Sequence, residues 1–333
     1  MLRINGAEKA KNTNQQVLNL MLTDKLSDVL SSFLKNTKIQ FFEKTTGDYY
    51  MKENQASFTA LMVAYMRAYH AIHNNPKIFD DFLAYDLIPE EKRALIEQHL
   101  NCDNLMQITN SPLSRARYTE DTLEKAIRRG VKQYVILGAG MDTFAFRRPD
   151  LMERLEVFEI DHPATQEFKL HRLAELEWEH PAKLHFIPID FTKENLVTAI
   201  TRSLPYDPKV KSLFSWLGVT PYLTRDEVFT TLRSIVEVAS VNSIVVFDYL
   251  DTDIFVPEKV SPQLQKFMEF VQKIGEPIIT GFNPQKLAVD LTNLGFQLHA
   301  NMSQEDVEGR YLQERTNGYY MQEQAHLACA VIQ

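Results

Sequence analysis

Two glycines and a downstream carboxylate are the groups in this chain whose types and spacing point most directly to chemistry. Gly138 and Gly140 end the run Tyr134-Val-Ile-Leu-Gly-Ala-Gly140, and Asp161 ends the run Val157-Phe-Glu-Ile-Asp161. An apolar strand, a Gly-x-Gly turn and a second apolar strand closing in acid describe a nucleotide-binding β-turn-α-β unit. The glycines, with Ala139 between them, let the chain turn tightly and bring bare backbone against a ligand. A carboxylate about twenty residues further on can accept hydrogen bonds from ribose hydroxyls. The expected ligand is adenosine-like.

Two departures from the dinucleotide pattern refine that expectation. Thr143 stands where a third glycine would be, and Met141-Asp142 fills the space through which a pyrophosphate would reach a helix N-terminus. Asp142 would repel a phosphate, yet it can hydrogen-bond an ammonium group. A cationic, phosphate-free cofactor such as S-adenosylmethionine suits this turn better than NAD.

The elements that must hold these groups fall into two blocks. Residues 1–117 read as a helical N-terminal extension and cap, and residues 118–333 as a Rossmann-like domain. Residues 1–14 are polar; between Gln15 and Lys35, Leu18, Leu22, Leu26, Val29, Leu30 and Phe33 recur at helical spacing. A second helix runs from Ser57 to His73 and stops at Asn75-Pro76, and a third starts at Pro89. Another spans Tyr118–Arg129, with Gly130 as its C-cap. Strands and helices then alternate. Strands are expected at Tyr134–Leu137, Glu156–Ile160, Leu184–Ile189, Ser212–Trp216 and Ser243–Phe247, with helices at Pro163–Glu179, Arg225–Ala239 and Ser261–Ile274. A helix from Asn283, then Phe296–His299, a loop and His326–Ile332 complete the chain. The expected class is α/β: a Rossmann-like, doubly wound seven-stranded sheet with one antiparallel edge strand, plus the helical N-terminal cap.

Composition narrows the partners. At 333 residues, 44% hydrophobic and 24% charged, the chain suits one large α/β domain with an extension, or two small domains. A net charge of −8 leaves no basic surplus for non-specific binding to nucleic acid. A local basic patch around Arg115, Arg117, Arg128 and Arg129 is better suited to an anion or cofactor than to DNA. Cys102 and Cys329 are too few for a disulfide framework or a zinc site, so no metal is expected and a reducing cytoplasm is the expected compartment. No signal peptide is expected, and no run approaches a membrane span; Ala60-Leu-Met-Val-Ala-Tyr-Met66 ends at Arg67.

Ligands of open α/β sheets bind beyond the carboxyl ends of the strands. Three such ends carry suitable groups: Gly138 to Gly140 after the first, Asp161 after the second and Asp190-Phe191 after the third. Asp190 can accept from an adenine amino group or cap the segment that follows. Phe191 offers the ring a flat apolar wall.

On these residues the chain resembles the leucine carboxyl methyltransferase superfamily. The resemblance is carried by Leu137-Gly-Ala-Gly-Met-Asp-Thr-Phe-Ala-Phe-Arg147, Glu159-Ile-Asp-His-Pro-Ala-Thr-Gln-Glu-Phe-Lys169 and Pro188-Ile-Asp-Phe191. Softer matches are Ser57-Phe-Thr-Ala60, Arg115-Ala-Arg-Tyr118, Trp216-Leu-Gly-Val-Thr-Pro-Tyr-Leu223, Gly275-Glu-Pro277, Gly281-Phe-Asn-Pro284 and Arg310-Tyr-Leu312. Within the superfamily it is similar to the bacterial branch that contains tetracenomycin-type polyketide carboxyl O-methyltransferases. The resemblance implies a class I S-adenosylmethionine-dependent O-methyltransferase. It also implies cofactor contacts at Gly138, Asp161, Asp190 and Phe191, with Arg115 as partner of the cofactor carboxylate, whose geometry a guanidinium fork matches. Leu217 stands where many relatives carry Glu, so any contact that Glu makes is absent or replaced.

The expected reaction is displacement of a methyl group by a substrate oxygen held close to it and in line. A carboxylate acceptor needs no general base, whereas a phenol or alcohol does. His162 and His299 lie nearest the strand ends, with structural roles as the competing reading. Tyr222 lines the site or packs beside it. Arg67 and Arg310 hold a substrate carboxylate or form ion pairs. The helical cap is expected to set substrate choice, and the supply of Phe and Tyr favours an apolar or aromatic small molecule. Alternatives left open are a methyltransferase for a protein C-terminal carboxylate, an NAD-dependent oxidoreductase and a non-catalytic cofactor-binding protein.

Overall fold

The central strands are buried along nearly their whole length because both faces of the sheet are covered. Strand β1 (Gln133–Leu137) is buried throughout, and its side chains divide between two cores at a period of two. Val135 and Leu137 join Phe158, Ile160, Phe214, Trp216 and Phe247 on one face. Tyr134 and Ile136 join Val157, Leu184 and Leu213 on the other. The remaining strands are β2 (Glu156–Asp161), β3 (Leu184–Pro188), β4 (Ser212–Trp216), β5 (Ile244–Leu250), β6 (Phe296–Met302) and β7 (Ala325–Ile332). The computed structural model describes residues 56–333, apart from 100, 101, 192, 204 and 314–322, so the helix expected between Gln15 and Lys35 lies outside the described residues.

The strands pair in the order β3-β2-β1-β4-β5-β7-β6. The first five are parallel, and β7 runs antiparallel to both β5 and β6. The seven-stranded doubly wound sheet is therefore as expected, with its reversed strand in the pair at one edge. That strand lies one place in from the edge, between β5 and β6.

Helices α1 (Phe58–His73), α2 (Glu90–His99) and α3 (Cys102–Arg128) precede the sheet. Ser57 caps α1 by accepting from Ala60 N at 3.1 Å, and Leu61, Met62, Tyr65 and Ala68 bury one face at helical spacing. The third helix starts sixteen residues before the expected Tyr118 and runs through Pro112, so the expected division at residues 117 and 118 falls inside it. It ends as expected, with Gly130 at φ +96° and Val131 N bonded to Ala126 O.

After β2 come α4 (Pro163–Glu175), α5 (Leu196–Thr201), α6 (Arg225–Val238), α7 (Pro262–Lys273), α8 (Leu287–Asn293) and α9 (Gln304–Tyr311). Helix α4 stops at Glu175, not Glu179: Glu177 turns left-handed at φ +54° and Trp178 N closes onto Leu173 O at 3.0 Å. That stop uses no glycine, which is why it carries no sequence signal. Helix α9 occupies part of the expected loop before β7. Ser303 and Asp306 form its capping box, yet Val307 is its buried residue, too little to make an amphipathic pattern. Among the described residues no helix is long and apolar enough to cross a membrane.

The antiparallel pairing places His326 opposite Tyr249, and their rings stack with centroids 5.1 Å apart. Burial holds the His326 imidazole below its usual range, so the folded chain binds fewer protons there than the unfolded chain. Its neutral form supports stability above pH 6.5, and that support is lost as pH falls below 6.5. Urea unfolding at pH 7.5 and 5.5 should show a smaller loss of stability for His326→Phe than for the wild type. Equal losses would contradict this role.

Candidate active site

The turn after β1 is tied to the end of β2 at several points. Gly138 N and Ala139 N both donate to Ile160 O, at 2.8 and 3.2 Å. Gly140 N donates to Asp161 Oδ2, and His162 N donates to Asp161 Oδ1 at 2.6 Å. The two glycines adopt φ +69° and +52°. A Cβ on Gly138 would overlap Val219, and one on Gly140 would press on Ala60 at 3.1 Å. Glycine is therefore required both by conformation and by close approach. Burial pushes the Asp161 carboxyl up, while the Gly140 and His162 N–H bonds pull it down. Both oxygens are oriented, and each keeps a lone pair for a hydroxyl donor.

The next three residues are held by charge. Arg67 on α1 donates to Met141 O at 2.7 Å and to Asp81 at 2.7 Å. Lys169 on α4 donates to Asp142 O at 2.6 Å and to Glu159 on β2, with Lys169 and Glu159 both 1% exposed. Asp142 Oδ1 accepts from Phe144 N at 2.7 Å, which blocks the start of the helical turn Phe144–Arg147 with a carboxylate. Only two four-residue helical turns, Phe144–Arg147 and Pro149–Met152, separate this loop from β2. A pyrophosphate would find an acid and no long helix dipole there.

Asp190 and Phe191 follow β3. Asp190 pairs with Lys193 at 3.0 Å and has His162 Nε2 at 3.8 Å; Phe191 packs against the first core. His162 Nδ1 caps α4 by accepting from Ala164 N at 3.3 Å. At the ends of β4 and β5, Arg115 pairs with Asp248 at 2.6 Å. Tyr222 sits beside Thr59, Glu276, Arg115 and Asp248, with burial holding its hydroxyl well above the usual phenol range. Glu276 accepts from Phe58 N and Thr59 N at 3.1 and 3.3 Å, so it ties the start of α1 to this end of the sheet.

Other expected residues are placed elsewhere. Arg67 is engaged by Asp81 and the Met141 carbonyl, which makes it a clamp on the turn and matches the ion-pair alternative. Arg310 lies between the rings of Tyr118 and Tyr311 with Asp121 at 3.7 Å, a helix–helix contact. His299 is exposed on β6, the edge strand furthest from β3. The arginines of the supposed basic patch diverge: Arg115 binds Asp248, whereas Arg117 binds Asp121 on the exposed side of α3. Gly218, Lys169 and Glu276 stand within the motifs that carry the resemblance but have no role assigned there, and Asp248 lies outside those motifs. Asp248 did carry a signal, an acid inside the apolar run Ile244–Leu250.

The donor set fits S-adenosylmethionine. Carboxylates at the ends of β2 and β3 suit ribose hydroxyls and an adenine amine, and the Arg115 guanidinium suits a carboxylate at the other end.

Comparison with known proteins agrees with the fold and with the cofactor. Residues 60–236 match the leucine carboxyl methyltransferase family. YktD of Bacillus subtilis, named as an S-adenosyl-L-methionine-dependent methyltransferase, is 34% identical over 311 residues, 84% of this chain and 99% of YktD. A crystal structure from Thermobifida fusca, described as that of a methyltransferase, has a TM-score of 0.55 at 12% identity, over 85% of this chain and 97% of that one. A DUF574 family protein from Streptomyces avermitilis also has a TM-score of 0.55, at 10% identity, over 85% of this chain and 100% of that one. At such identities the two structures speak for the fold.

The buried Lys169–Glu159 pair gives a direct test of how the turn is held. Burial pushes Glu159 up to about 7, with Lys169 opposing, and its Oε1 has no partner among the described residues. Lys169→Met would strand that acid and free the Asp142 carbonyl, at a cost of about 3–5 kcal/mol in chemical denaturation. Adding Glu159→Leu should restore much of the loss. A single variant as stable as wild type would contradict the assignment.

Proposed function

Because the chain belongs to the leucine carboxyl methyltransferase family, we propose that it methylates a carboxylate oxygen of a small molecule. The chain is an S-adenosylmethionine-dependent methyltransferase; the acceptor is the proposed part. The observation that carries it is the state of the proton-accepting groups around the strand ends. Asp161 is engaged by two N–H groups, Asp248 by Arg115, Glu276 by the start of α1, and His162 Nδ1 by Ala164 N. Tyr222 stays protonated through burial. None of these is placed as a free base, and an acceptor that is already anionic needs none.

When bound, S-adenosylmethionine supplies a methyl group on a positively charged sulfur, open to attack by an oxygen nucleophile. The chain's own work is then mostly positional. Asp161 accepts from the ribose hydroxyls, with its orientation set by Gly140 and His162. Asp190 and Phe191 receive the adenine, through the amine and the ring face. The backbone of Gly138 to Gly140 lies close to the ligand because no side chain intervenes. Arg115 holds the carboxylate. The ring of Tyr222 and the start of α1 border the same space, and from there they can orient an acceptor and limit water.

Incubation with methyl-labelled S-adenosylmethionine and panels of carboxylic acids and phenols tests the acceptor. The expected product is a methyl ester, which mild alkali hydrolyses to labelled methanol; an alkali-stable ether or amine product would overturn the carboxylate assignment. Asp161→Asn should lower kcat/KM for the cofactor by about ten- to a hundredfold, the cost of weakening hydrogen bonds to a charged group.

A further inference from the structure

We infer that Asp248 is a positioning residue, which holds Arg115 in place so that its guanidinium recognises the amino-acid end of the cofactor. The inference rests on the cofactor assignment above and extends it to a residue on a different strand. Asp248 lies within the buried strand β5 and is 8% exposed. Its two oxygens are divided between two donors: Oδ2 accepts from Arg115 Nη1 at 2.6 Å, and Oδ1 accepts from Gly218 N at 2.5 Å. Its backbone carbonyl accepts from Thr220 Oγ1 at 2.7 Å, so Asp248 fastens the loop after β4 twice, through Gly218 and Thr220, and joins it to Arg115 on α3.

Gly218 supplies the second half of the clamp. It adopts φ +71°, and a Cβ there would collide with Nη1, Nη2 and Cζ of Arg115. The guanidinium thus lies against bare backbone on one side and against the Asp248 carboxylate on another. The β4–β5 register brings these groups level, since Trp216 pairs with Phe247 and the next residues are Leu217 and Asp248. Leu217 turns into an apolar cluster with Tyr118 and Val246, and Asp248 is the carboxylate at this level of the sheet.

A long, flexible arginine loses much of its freedom when it binds a ligand, and holding it beforehand removes part of that cost. The fork retains further N–H donors beyond the one given to Asp248. A carboxylate that reached Arg115 would meet a charge already fixed in position.

S-adenosylhomocysteine carries the amino-acid part, and methylthioadenosine lacks it, so calorimetry with the two separates a clamp on Arg115 from general support of the fold. Asp248→Asn should weaken S-adenosylhomocysteine by about tenfold and methylthioadenosine by less than about threefold. In an Arg115→Ala background the Asn substitution should cause no further loss of S-adenosylhomocysteine, because its effect travels through the arginine. Equal weakening of both ligands, no weakening of either, or full additivity with Arg115→Ala would overturn the inference. A wild-type protein that bound neither ligand would instead overturn the cofactor assignment on which it stands. Gly218→Ala, which displaces the guanidinium from its other side, should reproduce the selective loss; a uniform loss would count against it.

Discussion

The rest of this site depends on a turn of six residues, Gly138 to Thr143, which makes one internal backbone bond, Asp142 N to Ala139 O at 2.9 Å, and takes most of its other partners from outside. Backbone N–H and carbonyl groups in a tight, half-buried turn need partners, and a turn this short cannot supply them all. Strand β2 takes the first three N–H groups through Ile160 O and the Asp161 carboxylate. The carbonyls of Met141 and Asp142 go to Arg67 and Lys169. Those cations belong to α1 and α4, so the same contacts that shape the turn also fix two helices over it. Thr143 closes the arrangement by donating to Asp81 at 2.5 Å, the acid that holds Arg67.

This arrangement explains why so much charge is buried next to an apolar core. Buried ion pairs add little net stability compared with apolar packing, because both partners must leave water. Asp81, Glu120, Glu159 and Lys169 are nevertheless all buried, and Arg147 bridges Glu120 and Asp81. Each charge reaches the turn, or a residue that reaches it. Their contribution is to position: they define where Gly140 and Asp161 stand, and therefore where a ribose can bind. The opposite end of the site repeats the device on a smaller scale, with Asp248 between Arg115 and Gly218.

The sheet was readable from sequence because its central strands are short, mostly apolar runs bounded by glycine and acid. The cofactor acids were readable for the same reason: Asp161 and Asp190 stand where such runs end. The clamps were less visible. Arg67 looked like a possible substrate ligand because an arginine on an amphipathic helix has many possible partners, and the carbonyl it chose, Met141 O, is 74 residues away in sequence. Lys169 stands within a motif, but a lysine in a helix ordinarily reads as a solvated charge. Asp248 carries a clearer signal, because an acid inside a buried strand requires a partner. Glu177 and α9 were missed for a different reason. One ends a helix without glycine, and the other is too polar to show a period.

A crystal structure with S-adenosylhomocysteine bound tests the central claim most directly, because it shows whether this turn is what the cofactor meets. The account predicts both ribose hydroxyls on the Asp161 carboxylate, the adenine against Phe191 and the ligand carboxylate on Arg115, with the backbone from Gly138 to Thr143 unmoved. A ligand bound away from Asp161, or a turn that must rearrange to admit it, would contradict the claim.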